Sequence, residues 1–345
     1  MATRSAPLIP QRGALVRSLA SGEFNRLPPI ATSGRFKQRV HATISTPEVT
    51  LVANFSSTYT DFEPAHRLTT LMFGESVQGH VRAPTPEACL VAPGRSAIRI
   101  GDSYIAPTKT GFKLVVVEPA RQLSAELVLE ARSSTSALYN MRLGREDVLH
   151  WSVVPRLIAN GTITHAGRTY AVVDAPAYRD RSWGVARFGQ VAWDWGYALS
   201  DDLANPIAVV FARLMDASRT QLLQQEVLVW SGLGLLSSFG GAEVELSSSG
   251  RARGPFPTVP AALALCRPGH ASDVPERLVG VARSARGELR LEFERAATAR
   301  IIAPNDEGVG TTASFASLGR IRVTGRVEGH AIELAGRGFL ESVHA

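Results

Sequence analysis

Lysine, cysteine and long apolar runs are all scarce in this sequence, and each scarcity excludes a class of function. Lysine occurs only at positions 37, 109 and 113, so the net charge of +6 is carried by arginines that are interleaved with acidic residues. A nucleic-acid partner is not expected, because it would require clustered cations. The longest apolar stretch, residues 227–236, is interrupted by serine and glycine and is shorter than the roughly 20 residues that span a bilayer. We therefore expect a soluble protein without stable membrane insertion.

The two cysteines, Cys89 and Cys266, lie far apart in the chain, and no ligand or redox motif surrounds either of them. Such sparse use of cysteine is typical of proteins in a reducing compartment, where thiols persist unpaired. We expect a cytoplasmic protein with two inert thiols.

Motifs for metal, phosphate and acyl-enzyme chemistry are also missing. His150 and His165 have no His-x-His, His-Glu-x-x-His or Cys-x-x-Cys pattern near them, so the usual spacing of zinc or iron ligands is absent. No Gly-rich phosphate loop, no Gly-x-Gly-x-x-Gly turn and no Gly-x-Ser-x-Gly elbow occurs. We expect a protein that needs neither a metal nor a nucleotide cofactor.

What the sequence does contain is a succession of short strands. β-Branched runs such as VTLVANFSS, FKLVVVEP and AELVLEARS are separated by Gly, Pro and Asn turns, and helical periodicity is nearly absent. This pattern predicts an all-β fold, either an antiparallel barrel or a sandwich. Asn160-Gly161 predicts a hairpin turn between two strand-like runs.

The domain organisation is predicted from the same pattern. Residues 1–35 are rich in Arg, Ser, Pro and Ala with a single acid, Glu23, and they predict a flexible N-terminal arm. The remaining strands suggest two similar β-domains, residues 36–216 and 217–345, joined at residues 216–218. A length of 345 residues is long for one domain and agrees with two.

The residues with the most chemical potential lie in the stretch 174–199, which holds three of the five tryptophans of the chain. Side chains two residues apart on a strand share a face. Tyr178 and Asp180 are therefore expected to point the same way. A second strand carries an aromatic row of Trp193, Trp195 and Tyr197.

Two interpretations of this stretch remain open. In one, the aromatic residues fill a core and Asp180 pairs with its neighbour Arg179 or Arg181. In the other, Asp180 faces an apolar pocket, where burial raises its pKa and leaves a proton to donate to an alkene or a carbonyl. Indole faces would then stabilise a developing cation by about 0.5–2 kcal/mol each. Asp194, between two tryptophans, is better explained as structural.

The order of these residues resembles the lipocalin-like family of hydroxyneurosporene synthases, or carotenoid 1,2-hydratases, which also includes Diels–Alderases and related cyclases. The matching residues are Trp151, Tyr178, Asp180, Trp183, Gly184, Trp193, Asp194 and Trp195, with the closing segment 336–341. The resemblance implies two lipocalin-like (calycin) β-barrel domains, a hydrophobic ligand pocket and no cofactor. It also implies that Asp180 is the acid that protonates an alkene.

From the residues and the resemblance together we expect a cofactor-independent, Diels–Alderase-like cyclase or isomerase of natural-product biosynthesis. Its partner would be an unsaturated hydrophobic small molecule, namely a polyene, polyketide or terpenoid. The candidate catalytic residues are Asp180, Tyr178 and His150, and the candidate substrate-binding residues are Trp151, Trp183, Trp193, Trp195 and Tyr197. Two alternatives stay open: addition of water to an isoprenoid alkene, and non-catalytic lipid carriage.

Overall fold

The computed structural model describes residues 36–59, 64–91, 97–142, 148–185, 191–200, 206–252, 256–265, 274–304 and 311–344. The predicted N-terminal arm, residues 1–35, and Cys266 lie outside these ranges. No described helix is long and apolar enough to cross a membrane.

Twelve antiparallel strands form the first sheet, here called the N-terminal sheet. Their spatial order is β4-β3-β2-β1-β12-β11-β9-β8-β7-β6-β5, and β10 also pairs with β11. The strands are β1 Phe36–Ser45, β2 Thr50–Tyr59, β3 Ala65–Phe73, β4 Val77–Arg82, β5 Cys89–Val91, β6 Ile98–Ile100, β7 Ser103–Pro107, β8 Gly111–Glu118, β9 Leu123–Ala131, β10 Ser136–Arg142, β11 Val148–His165 and β12 Arg168–Val185.

Ten strands form the second sheet, the C-terminal sheet, in the order β16-β15-β14-β13-β22-β21-β20-β19-β17, with β18 parallel to β20. They are β13 Val191–Leu199, β14 Ile207–Asp216, β15 Leu222–Ser231, β16 Gly234–Gly240, β17 Val244–Ser249, β18 Thr258–Val259, β19 Arg277–Ser284, β20 Gly287–Pro304, β21 Thr311–Val327 and β22 His330–His344. The described helices are short 3-10 turns, so the predicted all-β class is confirmed.

Each sheet curls around a core of its own. In the N-terminal sheet, β6 comes into contact with β2 and β3, and the enclosed face carries one large apolar cluster. Val40, Ala42 and Ile44 reach this cluster from β1, because alternate side chains of a strand share a face. The C-terminal sheet encloses a second cluster around Phe211 and Phe293. Burial of each such phenylalanine contributes about 1.5–3 kcal/mol to stability.

A third apolar cluster lies between the two sheets. The N-terminal sheet supplies Trp151 and Tyr178, and the C-terminal sheet supplies Trp195, Tyr197 and Phe339. The aromatic stretch singled out in the sequence therefore forms the junction between the sheets.

The chain passes from one sheet to the other between Val185 and Val191, and not at the predicted joint near residue 217. Residue 216 begins a hairpin turn inside the C-terminal sheet, where the carboxylate of Asp216 accepts bonds from the backbone N–H groups of Thr220 and Gln221. The division into two domains stays a prediction, and we propose that the two domains meet between Val185 and Val191.

The predicted hairpin turn at Asn160-Gly161 is wrong. Strand β11 continues to His165, and the turn to β12 is formed by Ala166 and Gly167, both with positive φ. At Gly161 the strand has an irregularity in its pairing. A Cβ atom there would stand 2.1 Å from the carbonyl oxygen of Glu126, so the glycine allows a close approach of β9 instead of a turn.

Candidate functional site

A cavity of about 630 Å³ lies between the two sheets, a size within the range of small-molecule sites. Both sheets contribute to its walls. The residues that matter most here are Arg39, Ser56, Arg67, Trp151, Asp180 and Ser182 from the N-terminal sheet and Trp193, Trp195, Arg213, Ser314 and Glu341 from the C-terminal sheet.

Strand alternation decides which residues of β12 face this cavity. Tyr178 lies in the cluster between the sheets, and Asp180 lines the cavity. Arg179 and Arg181 point to the opposite side, where Arg179 lies 4.1 Å from the ring of Phe112. Neither arginine forms an ion pair with Asp180 in the described part of the chain. The interpretation that Asp180 is held by its sequence neighbours is therefore wrong.

Asp180 is buried at the side of the cavity, with only 2% of its surface exposed. Burial raises the pKa of its carboxyl group to about 7, against the opposing influence of Arg39 and with a further upward contribution from Glu341. The hydroxyl of Tyr178 donates a hydrogen bond of 3.2 Å to Oδ2 of Asp180. At neutral pH a large fraction of Asp180 therefore carries a proton.

Glu341 lines the cavity together with Asp180 and Asp194, and its carboxylate is held by donors from three strands. Arg39 donates to both oxygens, with Nη1–Oε1 at 3.2 Å and Nη2–Oε2 at 2.5 Å. Trp195 donates from Nε1 to Oε2 at 3.1 Å, and Ser314 donates from Oγ to Oε1 at 2.8 Å. These contacts join β1 to β13, β21 and β22, so Glu341 fixes both Arg39 and the indole of Trp195.

His41 lies beside Arg39 and Trp195, and the sequence did not indicate it as a site residue. Its Nδ1 is 2.8 Å from Oδ1 of Asn54, and its Nε2 is 2.6 Å from Oγ1 of Thr43. Burial, and next the charge of Arg39, lower the pKa of His41 well below its ordinary value. The ring is therefore neutral, and it meets the indole of Trp195 edge to face at 5.0 Å.

The aromatic residues divide into a lining layer and a supporting layer. Trp151, Trp193 and Trp195 line the cavity, with Trp151 and Trp195 edge to face at 5.8 Å. Tyr178 and Tyr197 are buried behind them and stack on each other at 4.0 Å. The structure thus brings together Asp180, its hydrogen-bond partner Tyr178 and four of the five predicted substrate-binding aromatics.

The other two predicted site residues lie elsewhere. His150 and Trp183 stack on each other at 5.3 Å on the face of the N-terminal sheet that turns away from the cavity. Strand geometry requires this, because His150 adjoins Trp151 and Trp183 is three residues from Asp180. The structure therefore separates both residues from the group around Asp180.

Asp194 is buried in an ion-paired setting. Its Oδ2 accepts from Nε of Arg213 at 2.5 Å and from Nη2 of Arg219 at 2.7 Å. Burial by itself raises the pKa of Asp194, but Arg219 and Arg213 outweigh burial and hold the pKa below its ordinary value. This environment agrees with the structural role expected from the sequence. Within the described ranges, no group of three or more His, Cys, Asp or Glu residues is arranged to hold a metal ion.

Comparison with known proteins gives matches in structure only. No protein-family profile and no curated protein sequence matches the chain. An AttH-type protein from Nitrosomonas europaea is 14% identical with a TM-score of 0.65, and the match covers 98% of this chain and 99% of that one. Kievitone hydratase from Nectria haematococca is 12% identical with a TM-score of 0.61, covering 96% and 94%.

A further structure, CghA in complex with Sch210972, is 11% identical with a TM-score of 0.51, and the match covers 95% of this chain and 96% of that one. At such low identities the likeness establishes a shared fold and nothing finer. The chain has the fold of the lipocalin-like hydratases and Diels–Alderases, as its sequence resemblance indicated.

Proposed function

We propose that this protein is a cofactor-independent enzyme that cyclises or isomerises an unsaturated hydrophobic polyketide or isoprenoid. The observation that carries this proposal is Asp180, a buried acid with a pKa raised to about 7 on the wall of a tryptophan-lined cavity. Proteins that share the fold include a hydratase and a Diels–Alderase cyclase, which supports an enzymatic role.

The hydrogen bond from Tyr178 indicates how Asp180 would act. Because Oδ2 accepts from the Tyr178 hydroxyl, the acidic proton of the neutral form would be carried by Oδ1. Asp180 would donate it to a carbonyl or an alkene of the substrate. After full proton transfer, Tyr178 and the nearby charge of Arg39 would stabilise the aspartate anion, since both lower its pKa.

The aromatic lining would stabilise and shape the substrate. The indoles of Trp151 and Trp195 stand edge to face and could contact a developing cation, each for about 0.5–2 kcal/mol. For a pericyclic reaction, the larger contribution is the confinement of a polyene in a folded reactive shape, which can supply roughly 7–11 kcal/mol.

Glu341 bears on the choice between cyclisation and hydration. A hydratase needs a base that orients the attacking water, and a second carboxylate in the cavity would be the natural choice. An ionised carboxylate has about four acceptor positions. Two bonds from Arg39 and one each from Trp195 and Ser314 occupy a matching number on Glu341. This saturation favours cyclisation or isomerisation over hydration.

The test is turnover by Asp180→Asn of an acyclic unsaturated polyketide or isoprenoid precursor, together with a thermal melt. General-acid catalysis predicts a loss of roughly 10²–10⁴-fold in a folded protein. If Asp180 only donates a hydrogen bond, its amide replacement still donates one and the loss should be about tenfold. Asp102→Asn, at an exposed position that does not line the cavity, is the matched control.

Three results would contradict the proposal. Full activity of a folded Asp180→Asn protein would remove Asp180 from the mechanism. Incorporation of the oxygen of labelled water into the product would identify a hydratase. Binding of the precursor without any conversion by the unmutated protein would identify a carrier.

A further inference from the structure

Three arginines line the cavity, and they differ in how their charge is balanced. Arg39 is paired with Glu341, and Arg213 is paired with Asp194. Arg67 forms no ion pair with any residue in the described part of the chain. The guanidinium of Arg67 is therefore a cation in the cavity wall that has no paired anion among the described residues.

The side chain of Arg67 belongs to the cavity face of β3. Leu71 and Phe73, which share its strand parity, pack in the cluster between the two sheets. Leu68 and Met72, of the opposite parity, pack in the core of the N-terminal sheet. Because alternate side chains share a face, the guanidinium is directed towards the same space as Asp180.

Arg67 also ends a row of residues that crosses five paired strands. Each member is the direct cross-strand partner of the next. In order, the row is Arg67, Ser56, Arg39, Ser182 and Trp151, and every member lines the cavity. Paired strands are about 4.8 Å apart, so the backbones of Arg67 and Trp151 are separated by about 19 Å, measured along the sheet.

Asp180 lies one step from this row on the same face of β12. It is three strands from Arg67, which corresponds to about 14 Å across the sheet. A single elongated molecule could therefore contact Arg67 at one end while its middle or far end lies against Asp180 and Trp151.

The environment of Arg67 favours an anion. Its side chain is half-buried, and burial, with no contribution from a neighbouring charged group, lowers its pKa. A guanidinium that is partly removed from water gains most from a planar oxyanion that accepts two parallel hydrogen bonds. Thr58 also lines the cavity and adds a hydroxyl group, whereas the hydroxyl of Ser56 donates a hydrogen bond to the backbone carbonyl of Arg67.

We propose that Arg67 binds the anionic head of the substrate, so that the substrate is an amphipathic unsaturated acid with a carboxylate or enolate at one end. This inference rests on the proposed function for the position of the reacting double bonds, which would lie over Trp151 and Asp180. The binding of the head depends on Arg67 and can be tested without turnover.

The experiment uses cis-parinaric acid, a conjugated polyene carboxylate whose fluorescence rises in apolar sites, and its methyl ester, which lacks the charge. Titrations at pH 8 should show the acid binding roughly 10- to 100-fold more tightly than the ester, as expected for a charge-assisted hydrogen bond. Arg67→Gln should remove this preference and leave ester binding unchanged. Arg67→Lys, which keeps the charge but loses the planar fork, should retain part of it.

Arg322→Gln is the matched control, because it removes the same charge from an exposed position outside the cavity. It should keep the full preference for the acid. The inference is overturned if the acid and ester bind equally to the unmutated protein, if neither binds, or if a folded Arg67→Gln keeps the preference. None of these results affects the turnover of Asp180→Asn, which tests the proposed function separately.

Discussion

Asp180 and Asp194 are both buried aspartates of the same aromatic stretch, each with 2% of its surface exposed, yet their pKa values move in opposite directions. Asp180 follows one arginine and precedes another in the sequence, but its close partner is the phenol of Tyr178. Asp194 stands between two tryptophans, but Arg213 and Arg219 reach it from β14 and the following turn. Burial alone therefore does not determine the charge of an aspartate. The groups on the same face of the sheet determine it, and they differ between the two sites.

The largest effect on stability is expected at Asp194. Asp194→Asn leaves Arg213 and Arg219 without their shared counter-charge, so the free energy of unfolding should fall by about 3–5 kcal/mol. Denaturant unfolding of the variant at pH 7 measures this loss. A change below about 1 kcal/mol would show that the ion pairs of Asp194 do not stabilise the fold.

Asp180→Asn should change stability in the opposite direction. Because the folded-state pKa of Asp180 is raised from 3.8 to about 7, ionisation destabilises the native state as the pH rises between these values. In this pH range the native state binds more protons than the unfolded chain, so the free energy of unfolding falls as the pH rises. Asp180→Asn should therefore be more stable than the unmutated protein at pH 8, by an amount on the order of 1–4 kcal/mol.

This gain should shrink to below about 1 kcal/mol at pH 4, because the native state is then protonated and the unfolded chain, with a pKa of 3.8, is little more than half ionised. Unfolding curves at the two pH values make the comparison within one pair of proteins. Equal stability differences at pH 4 and pH 8 would mean that the pKa of Asp180 is not raised.

A smaller effect is expected for Tyr178→Phe. The Tyr178 hydroxyl lowers the pKa of Asp180, so its removal should raise that pKa further while the ring stack is kept. Tyr197→Phe is the control, because Tyr197 stacks on Tyr178 but its hydroxyl is paired with Thr43. The pH profile of turnover gives the pKa of Asp180 in each of the two variants. An equal shift in the two variants would assign the effect to packing and not to the hydrogen bond.

Local strand parity accounts for what the sequence could predict. Tyr178 and Asp180 are two residues apart and do share a face, and the same holds for Trp193, Trp195 and Tyr197. The same parity already contained the information that His150 and Trp183 lie on the other side of the sheet. Their candidate roles rest on residue type, which does not indicate the face of a strand.

Long-range pairing accounts for what the sequence could not predict. Arg39 and Glu341 are separated by 302 positions and meet only because β1 and β22 lie on facing sheets. His41 and Arg67 look like ordinary strand residues until the neighbouring strands are known. Glu341 stands in the closing segment that carries part of the resemblance, but its bonds to Arg39, Trp195 and Ser314 depend on the assembled junction.

The central claim is that Asp180 holds a proton at neutral pH, and a direct titration tests it. Carbon-13 NMR of protein labelled at the aspartate side-chain carboxyl, compared with Asp180→Asn to assign the signal, gives the pKa of this one group. We expect a transition near pH 7 that is missing from the variant. A transition near pH 4, the ordinary range of an aspartate, would contradict the account and leave the cavity without its proton donor.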